Sequence, residues 1–171
     1  MQNLQIKNWT NKDIRTIQNF LKKNFPSWEK RIEKDFLNPN IKGKLAFIEK
    51  TLVGIIVYMI IESEAEIHLL VVDRNYRRKS IGKNLLKETL KILEKLKVEH
   101  VFLEVSNRNS AAINLYKKVG FKQIGIRKNY YGKDNHGIVM MLKIQHREVK
   151  NVQGRKFERT CKEEIPPLCN S

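Results

Sequence analysis

Val71-Val72-Asp73-Arg74-Asn75-Tyr76-Arg77-Arg78-Lys79-Ser80-Ile81-Gly82-Lys83 is the stretch that decides how this chain is read. Its first residues are apolar and β-branched, and they end a strand predicted over residues 66–73. From Ile81 the period changes. Leu85, Leu86, Leu90, Ile92, Leu93 and Leu96 form one apolar helical stripe. A strand that turns sharply into a helix predicts an α/β layered fold. The turn has its own chemistry. A helix N-terminus presents free N–H groups and partial positive charge, which suits a phosphate. The small residues Ser80 and Gly82 let an anion approach the backbone closely, and Arg77, Arg78 and Lys79 add charge beside it. A plainer reading stands beside this one: a basic turn whose helix is capped by Ser80.

Working outward, Leu4, Ile6 and Trp9 predict a short edge strand. Thr10 with Asp13 forms a capping box before a helix carrying Ile14, Ile17, Phe20 and Leu21. Pro26 ends that helix, and Ser27 is the expected cap of a second helix through Trp28, Ile32 and Phe36. Asn38-Pro39-Asn40 reads as a turn, and residues 44–49 and 52–61 as a hairpin. Beyond the central helix, a strand is predicted over 101–105, then a helix capped by Asn109 and closed by Gly120. A last strand pair covers 121–127 and 138–144. The order β-α-α-β-β-β-α-β-α-β-β describes a mixed sheet with helices. The segment 146–171 is polar, contains Pro166-Pro167 and lacks sustained periodicity. It is expected to be a loosely held tail to a domain covering 1–145.

The bulk properties bound the function. A chain of 171 residues with 41% hydrophobic and 30% charged residues suits one soluble domain. The net charge of +16 favours an anionic ligand, nucleic acid or an acidic surface without choosing among them. No apolar run is long enough to span a bilayer. Cys161 and Cys169 both lie near the C-terminus and have no nearby His, which predicts a cytoplasmic protein without disulfides or a zinc site. Lys83, Lys87, Lys91 and Lys95 recur every four residues. They are either a solvated helix face or a contact for an anionic partner such as ribosomal RNA.

Two motifs carry a resemblance to a known family. Arg77-x-x-Ser80-x-Gly82 resembles the Arg/Gln-x-x-Gly-x-Gly/Ala turn of GNAT acetyltransferases, with Ser80 where the family usually has glycine. The run from Leu103 to Phe121 resembles the other GNAT signature, L-E-V-x-x-x-N-x-x-A-I-x-L-Y-x-x-x-G-F. Arg127-Lys128-Asn129-Tyr130-Tyr131 is similar to the R-x-N-Y-Y segment of RimI-like protein N-terminal acetyltransferases. Phe25-Pro26-Ser27-Trp28-Glu29-Lys30 resembles their F-P-W-S-E-K with Trp and Ser exchanged. His136-Gly137 departs from the Asp-Ala that relatives often carry.

The resemblance implies a twisted mixed sheet of about seven strands flanked by about four helices. It also implies transfer of acetyl from acetyl-CoA, without a metal, to the α-amine of a protein or peptide in a ternary complex. Leu70, Val71, Val72, Arg77, Arg78, Lys79, Ser80, Ile81, Gly82, Lys83 and Asn109 are the implied cofactor contacts. Glu104 is the implied general base and Tyr116 the acid that protonates the leaving thiolate. Trp28, Glu66, Tyr130 and Tyr131 are the implied substrate contacts. Unaided, the residues also permit plainer roles: Glu104 as an exposed strand residue, Tyr116 as a core tyrosine and Trp28 as a structural one. In that reading His68 is a hydrogen-bonded histidine at the core edge, and His136 a solvated loop residue. Alternation along the strand predicts that Glu66, His68, Leu70 and Val72 share one side. Two rival functions remain on the page, a small-molecule amine acetyltransferase and a ribosome- or RNA-binding module.

Overall fold

The computed structural model describes residues 3–146. The predicted tail beyond them, with Cys161 and Cys169, lies outside the described residues. The chain runs β1 (Leu4–Asn8), α1 (Ile14–Asn24), α2 (Pro26–Glu29), α3 (Ile32–Leu37), β2 (Ile41–Ile48), β3 (Thr51–Ile61), β4 (Glu64–Val72), α4 (Ile81–Lys95), β5 (His100–Ser106), α5 (Ser110–Val119), β6 (Lys122–Arg127) and β7 (Gly137–Lys143). The seven strands make one sheet in the order β1-β2-β3-β4-β5-β7-β6. β4 and β5 are parallel, joined by the α4 crossover, and the other neighbours are antiparallel. The last hairpin folds back so that β7, not β6, lies against β5.

Each face of the sheet carries a core. On one, Ile81, Leu85, Leu86 and Leu93 of α4 and Tyr116 of α5 pack on Ala46, Ile56, Val101, Leu103 and Val105. On the other, Ile17, Phe20 and Leu21 of α1 and Ile32 of α3 pack on Leu45, Ile55, Val57, Leu69 and Val71. Burying one such aliphatic side chain contributes roughly 1.5–3 kcal/mol. The α4 stripe anchors the middle of the fold, although Leu96 at its end is exposed.

The Thr10–Asp13 pairing forms as expected. Asp13 accepts from the Thr10 N–H and from its hydroxyl, both at 2.8 Å. The second predicted helix does not form as one piece. It breaks at Lys30-Arg31 into α2 and α3. Pro26 occupies the first turn of α2, so Ser27 lies inside it and Phe25 stands at the capping position. The break places the Arg31 guanidinium over the Trp28 ring at 4.3 Å and lets the Trp28 indole donate to buried Asp35 at 3.2 Å.

The expected alternation along β4 fails at one residue. The β3–β4 register pairs Val57 with Leu69 and Tyr58 with Ile67, leaving His68 as an extra residue in a bulge. Ala65 and Ile67 pack with the α4–α5 core, as do Leu70 and Val72, while Leu69 and Val71 pack with the α1–α3 core. Glu66 and His68 therefore face the α1–α3 side, opposite Leu70 and Val72. An extra residue reverses a period-two pattern.

Candidate active site

The basic turn is built on Asp73. Its N–H donates to the Val53 carbonyl at 2.9 Å, and its buried carboxylate accepts from the Asn75 N–H at 2.9 Å and from Lys23 Nζ at 2.8 Å. The Lys23 bond, aided by the Asn75 N–H, holds the Asp73 carboxyl below the usual carboxylate range. A single 3-10 turn, Arg74–Tyr76, follows. Arg77 then returns to the strand end, its Nε donating to the Val72 carbonyl at 3.2 Å. Arg78 and Ser80 adopt φ of 63° and 59°. This left-handed region costs a non-glycine residue roughly 1–2 kcal/mol. Ser80 precedes α4 directly, yet its side chain makes no capping bond. The expectation of a serine cap is overturned because a left-handed residue does not aim its hydroxyl at the first turn as an extended one does. The first-turn N–H groups of α4 are thus left for another partner, beside exposed Arg77, Arg78, Lys79 and Lys83. A Cβ added at Gly82 would meet Val72 and Leu115 at ordinary distances of 3.5 and 3.6 Å. The protein's own packing does not demand glycine there, whereas a ligand held against the backbone would.

Below this turn β4 and β5 are paired over only part of their length. Their parallel pairing covers only Glu64 to Ile67 against His100 to Leu103. β4 continues to Val72 and β5 to Ser106, so the strands part beyond that point. Leu70, Val71 and Val72 lie on the unpaired stretch of β4, and Glu104 is the first residue of β5 beyond the pairing.

Val101, Leu103 and Val105 join the α4–α5 core, so Glu104 emerges on the opposite face, the side Glu66 also occupies. One Glu104 oxygen accepts from Arg127 Nη1 at 2.6 Å. The Arg127 guanidinium also lies 3.9 Å from the Tyr130 ring centre, and Tyr130 meets Tyr131 edge-to-face at 5.0 Å. Burial, then the negative charge of Glu104, pushes the Tyr131 phenol up. Tyr116, on α5 beneath, is buried and packs on Phe121 at 5.8 Å. Burial, with a lesser contribution from Tyr131, pushes its phenol up to about 12. It is fully protonated at neutral pH, but the gap to an ordinary thiol near 8.5 is wider than for an unperturbed phenol.

The β6–β7 loop that carries the tyrosines is tied down by its departures from the expected pattern. His136 is not merely solvated. Its Nδ1 accepts from the Asn129 N–H at 3.0 Å, and its backbone exchanges bonds of 2.9 Å with Asn107. A Cβ at Gly137 would press on Tyr130 at 3.3 Å, so this glycine admits the Tyr130 ring. Arg127 is the functional candidate that residue-by-residue reasoning missed. It sat in the quoted R-x-N-Y-Y segment, but its partner Glu104 is 23 residues away.

Trp28, Glu66 and His68 form a separate group on the same face, below α2 and α3. Trp28 is half-buried against that core, and Glu66 is half-exposed, with Oε2 at 3.6 Å from His68 Nε2. Asn109, on α5, caps its helix by accepting from the Ala112 N–H at 3.1 Å. Among the described residues no group of three His, Cys, Asp or Glu side chains is placed to hold a metal. No described helix is long and apolar enough to cross a membrane.

A parted β4–β5 pair with a basic, uncapped helix at its mouth agrees with a family assignment made on sequence. The acetyltransferase (GNAT) family matches residues 4–121. The chain belongs to this family. It is 38% identical over 89 residues to the ribosomal protein bS18-alanine N-acetyltransferase of Escherichia coli strain K12, a match covering 50% of this chain and 60% of that protein. The crystal structure of the Escherichia coli ribosomal-protein-S18-alanine N-acetyltransferase superposes with a TM-score of 0.78 at 25% identity, covering 87% of this chain and 99% of that one. A Thermoplasma acidophilum N-acetyltransferase in complex with coenzyme A gives 0.70 at 25% identity, over 83% and 99%. The seven-stranded mixed sheet is therefore a GNAT fold of the kind these enzymes share, as the resemblance implied.

Proposed function

We propose that this GNAT protein transfers acetyl from acetyl-CoA to the N-terminal α-amine of a protein or peptide, by direct attack in a ternary complex in the cytoplasm. The observation that carries the reading is the parting of β4 and β5 beyond Ile67 and Leu103. A donor lying along the unpaired strand ends would run from the basic turn toward Glu104 and Tyr116. Arg77, Arg78, Lys79 and Lys83, with the backbone from Ser80 to Gly82, would hold the pyrophosphate. Leu70, Val71 and Val72 would line the pantetheine arm, and Asn109 lies on the adjoining helix. The donor supplies an activated thioester.

An α-amine has a pKa near 8 and is largely protonated at neutral pH. Glu104 takes its proton, directly or through a water. The freed amine attacks the acetyl carbonyl, and the nitrogen loses its second proton as the carbon–sulfur bond breaks. Tyr116 protonates the leaving sulfur, and that second proton restores the phenol through solvent while Glu104 gives its own proton to bulk water. A backbone N–H near Val72 stabilises the carbonyl oxygen, a donor type worth ~3–4 kcal/mol. Tyr130 and Tyr131, steadied by Arg127, flank the incoming N-terminal backbone, with Trp28 and Glu66 on the far side. Two carboxylates on one face, Glu66 and Glu104, suit a cationic amine. The Escherichia coli relative's ribosomal substrate supports a protein acceptor here as well. Exposed Lys83, Lys87, Lys91 and Lys95 suit an approach to ribosomal RNA, although Lys91 is engaged by Glu88 at 2.7 Å.

Thiol release from acetyl-CoA with two peptide sets tests the assignment. Turnover is expected with free N-termini and not with blocked N-termini carrying internal lysines. Turnover on lysines alone would discard the α-amine acceptor, and silence with both would point to a small amine.

A further inference from the structure

His68 has no part in the chemistry above, yet it occupies a costly position. Its side chain is 9% exposed, and its buried Nδ1 has no hydrogen-bond partner among the described residues. An unpaired buried polar group destabilises a fold. Such groups in native proteins call for a reason. The expected hydrogen-bonded core histidine is therefore not what the described residues provide. Nε2 faces Glu66 at 3.6 Å, beyond hydrogen-bond distance, and no described residue meets Nδ1. The bulge puts this imidazole on the substrate side of the sheet, where regular alternation from Leu70 would have buried it under α4. The charged groups around it are Glu66 on its own strand, Arg31 in the turn before α3, and Asp35 on α3. Arg31 and Asp35 also hold Trp28, so the imidazole shares its surroundings with the proposed substrate entrance.

We propose that His68 is a positioning residue for the acceptor amine: its Nε2–H holds the Glu66 carboxylate where the substrate's ammonium meets it, and protonation of the imidazole draws Glu66 away. This rests on the amine-acetylating reading above and adds what sets acceptor affinity. The 3.6 Å separation is long for a hydrogen bond, as such contacts often are before substrate binds. Burial, only partly offset by the Glu66 charge, holds the imidazole below its ordinary value near 6.5. His68 is thus neutral at pH 7. The effect enters as pH falls below about 6.5, where imidazolium competes with the substrate cation for Glu66.

The test is the pH dependence of KM and kcat for a free-N-terminus peptide between pH 5 and 8. Wild type is expected to lose acceptor affinity toward pH 5, with KM rising and kcat changing less. H68Q keeps an N–H for Glu66, so it should retain wild-type KM at pH 7.5 and show a flat profile below. H68F should raise KM about tenfold at every pH with kcat nearly kept, while melting no lower than wild type, because it removes the unpaired nitrogen. Nitrogen NMR of the wild-type imidazole should titrate at the midpoint of the KM profile. This readout stands even if H68F does not fold. A wild-type acid limb that survives in H68Q, or a KM unmoved in folded H68F, overturns the role of His68. Wild type active on lysines or small amines but not on free N-termini overturns the functional reading instead.

Discussion

Helices α4 and α5 begin in opposite ways. α5 follows the local rules at both ends. Asn109 caps it, and Gly120 closes it with φ of 112°, the left-handed conformation glycine adopts freely. α4 breaks them. A left-handed serine precedes it, no side chain caps it, and another left-handed residue, Arg78, stands two positions earlier. One helix is complete within the protein and serves as a scaffold that carries Tyr116. The other starts without a side-chain cap and carries backbone strain beside its first turn. Strain concentrates at functional sites, and this pair shows it on two helices packed on the same core.

The strongest way to break the contrast is to change the chemistry on the scaffold helix without touching the scaffold. Tyr116→Phe should lower kcat about 10²-fold, the usual scale for a proton-transfer group, with little change in acetyl-CoA affinity. It should also alter alkaline stability. The folded protein holds the Tyr116 proton up to about 12, whereas the unfolded chain releases it near 10. The stability that goes with the neutral phenol is complete below pH 10 and is lost as pH rises to 12, on the order of 3 kcal/mol. Urea melts at pH 9 and 11 should show a steeper loss for wild type than for Tyr116→Phe. A variant with full turnover would remove Tyr116 from the chemistry and leave it as core.

The uncapped helix offers the next largest effects, of opposite sign. Ser80→Asp places a carboxylate at the positive end of α4, where an anion is favoured. Its charge should compete with the pyrophosphate, weakening acetyl-CoA binding about tenfold while the fold holds. Ser80→Gly removes the strain instead. It should stabilise the protein by roughly 1 kcal/mol, the lower end of the left-handed penalty, and bind acetyl-CoA at least as well. Calorimetry and thermal melts read both. If Ser80→Gly leaves the melting temperature unmoved, the serine is not strained and the contrast between the helices weakens.

What could be read without the structure divides along the same line. The α4 stripe, the Asn109 cap, the Gly120 stop and the β2–β3 hairpin rest on local periodicity and turn chemistry, which a sequence states directly. The turn from Arg77 to Gly82 was legible as a basic strand-to-helix junction but not in its conformation, because serine is not a residue that announces φ of 59°. The side to which Glu66 and His68 point was misread, since one bulged residue is invisible to a period-two pattern. The Glu104–Arg127 pair joins strands 23 residues apart through a β7 inserted between them, and pairing order is a tertiary fact. The break at Lys30-Arg31 brings Trp28 to Asp35, a tertiary contact that no helical propensity encodes.

The smallest effect separates the two roles of Asn109. As a cap it accepts from the Ala112 N–H at 3.1 Å, and losing that bond in Asn109→Ala should destabilise the protein by about 1 kcal/mol. Asp caps a helix as well as Asn does, so Asn109→Asp should melt like wild type. The two variants differ in what they present to the donor. If Asn109 also contacts the cofactor, an added negative charge there should weaken acetyl-CoA binding a few-fold although the helix is intact. Equal affinity in wild type and Asn109→Asp would make Asn109 a cap alone and α5 purely a scaffold. Weakened affinity would make the scaffold helix a second, milder contributor to the site that α4 leaves open.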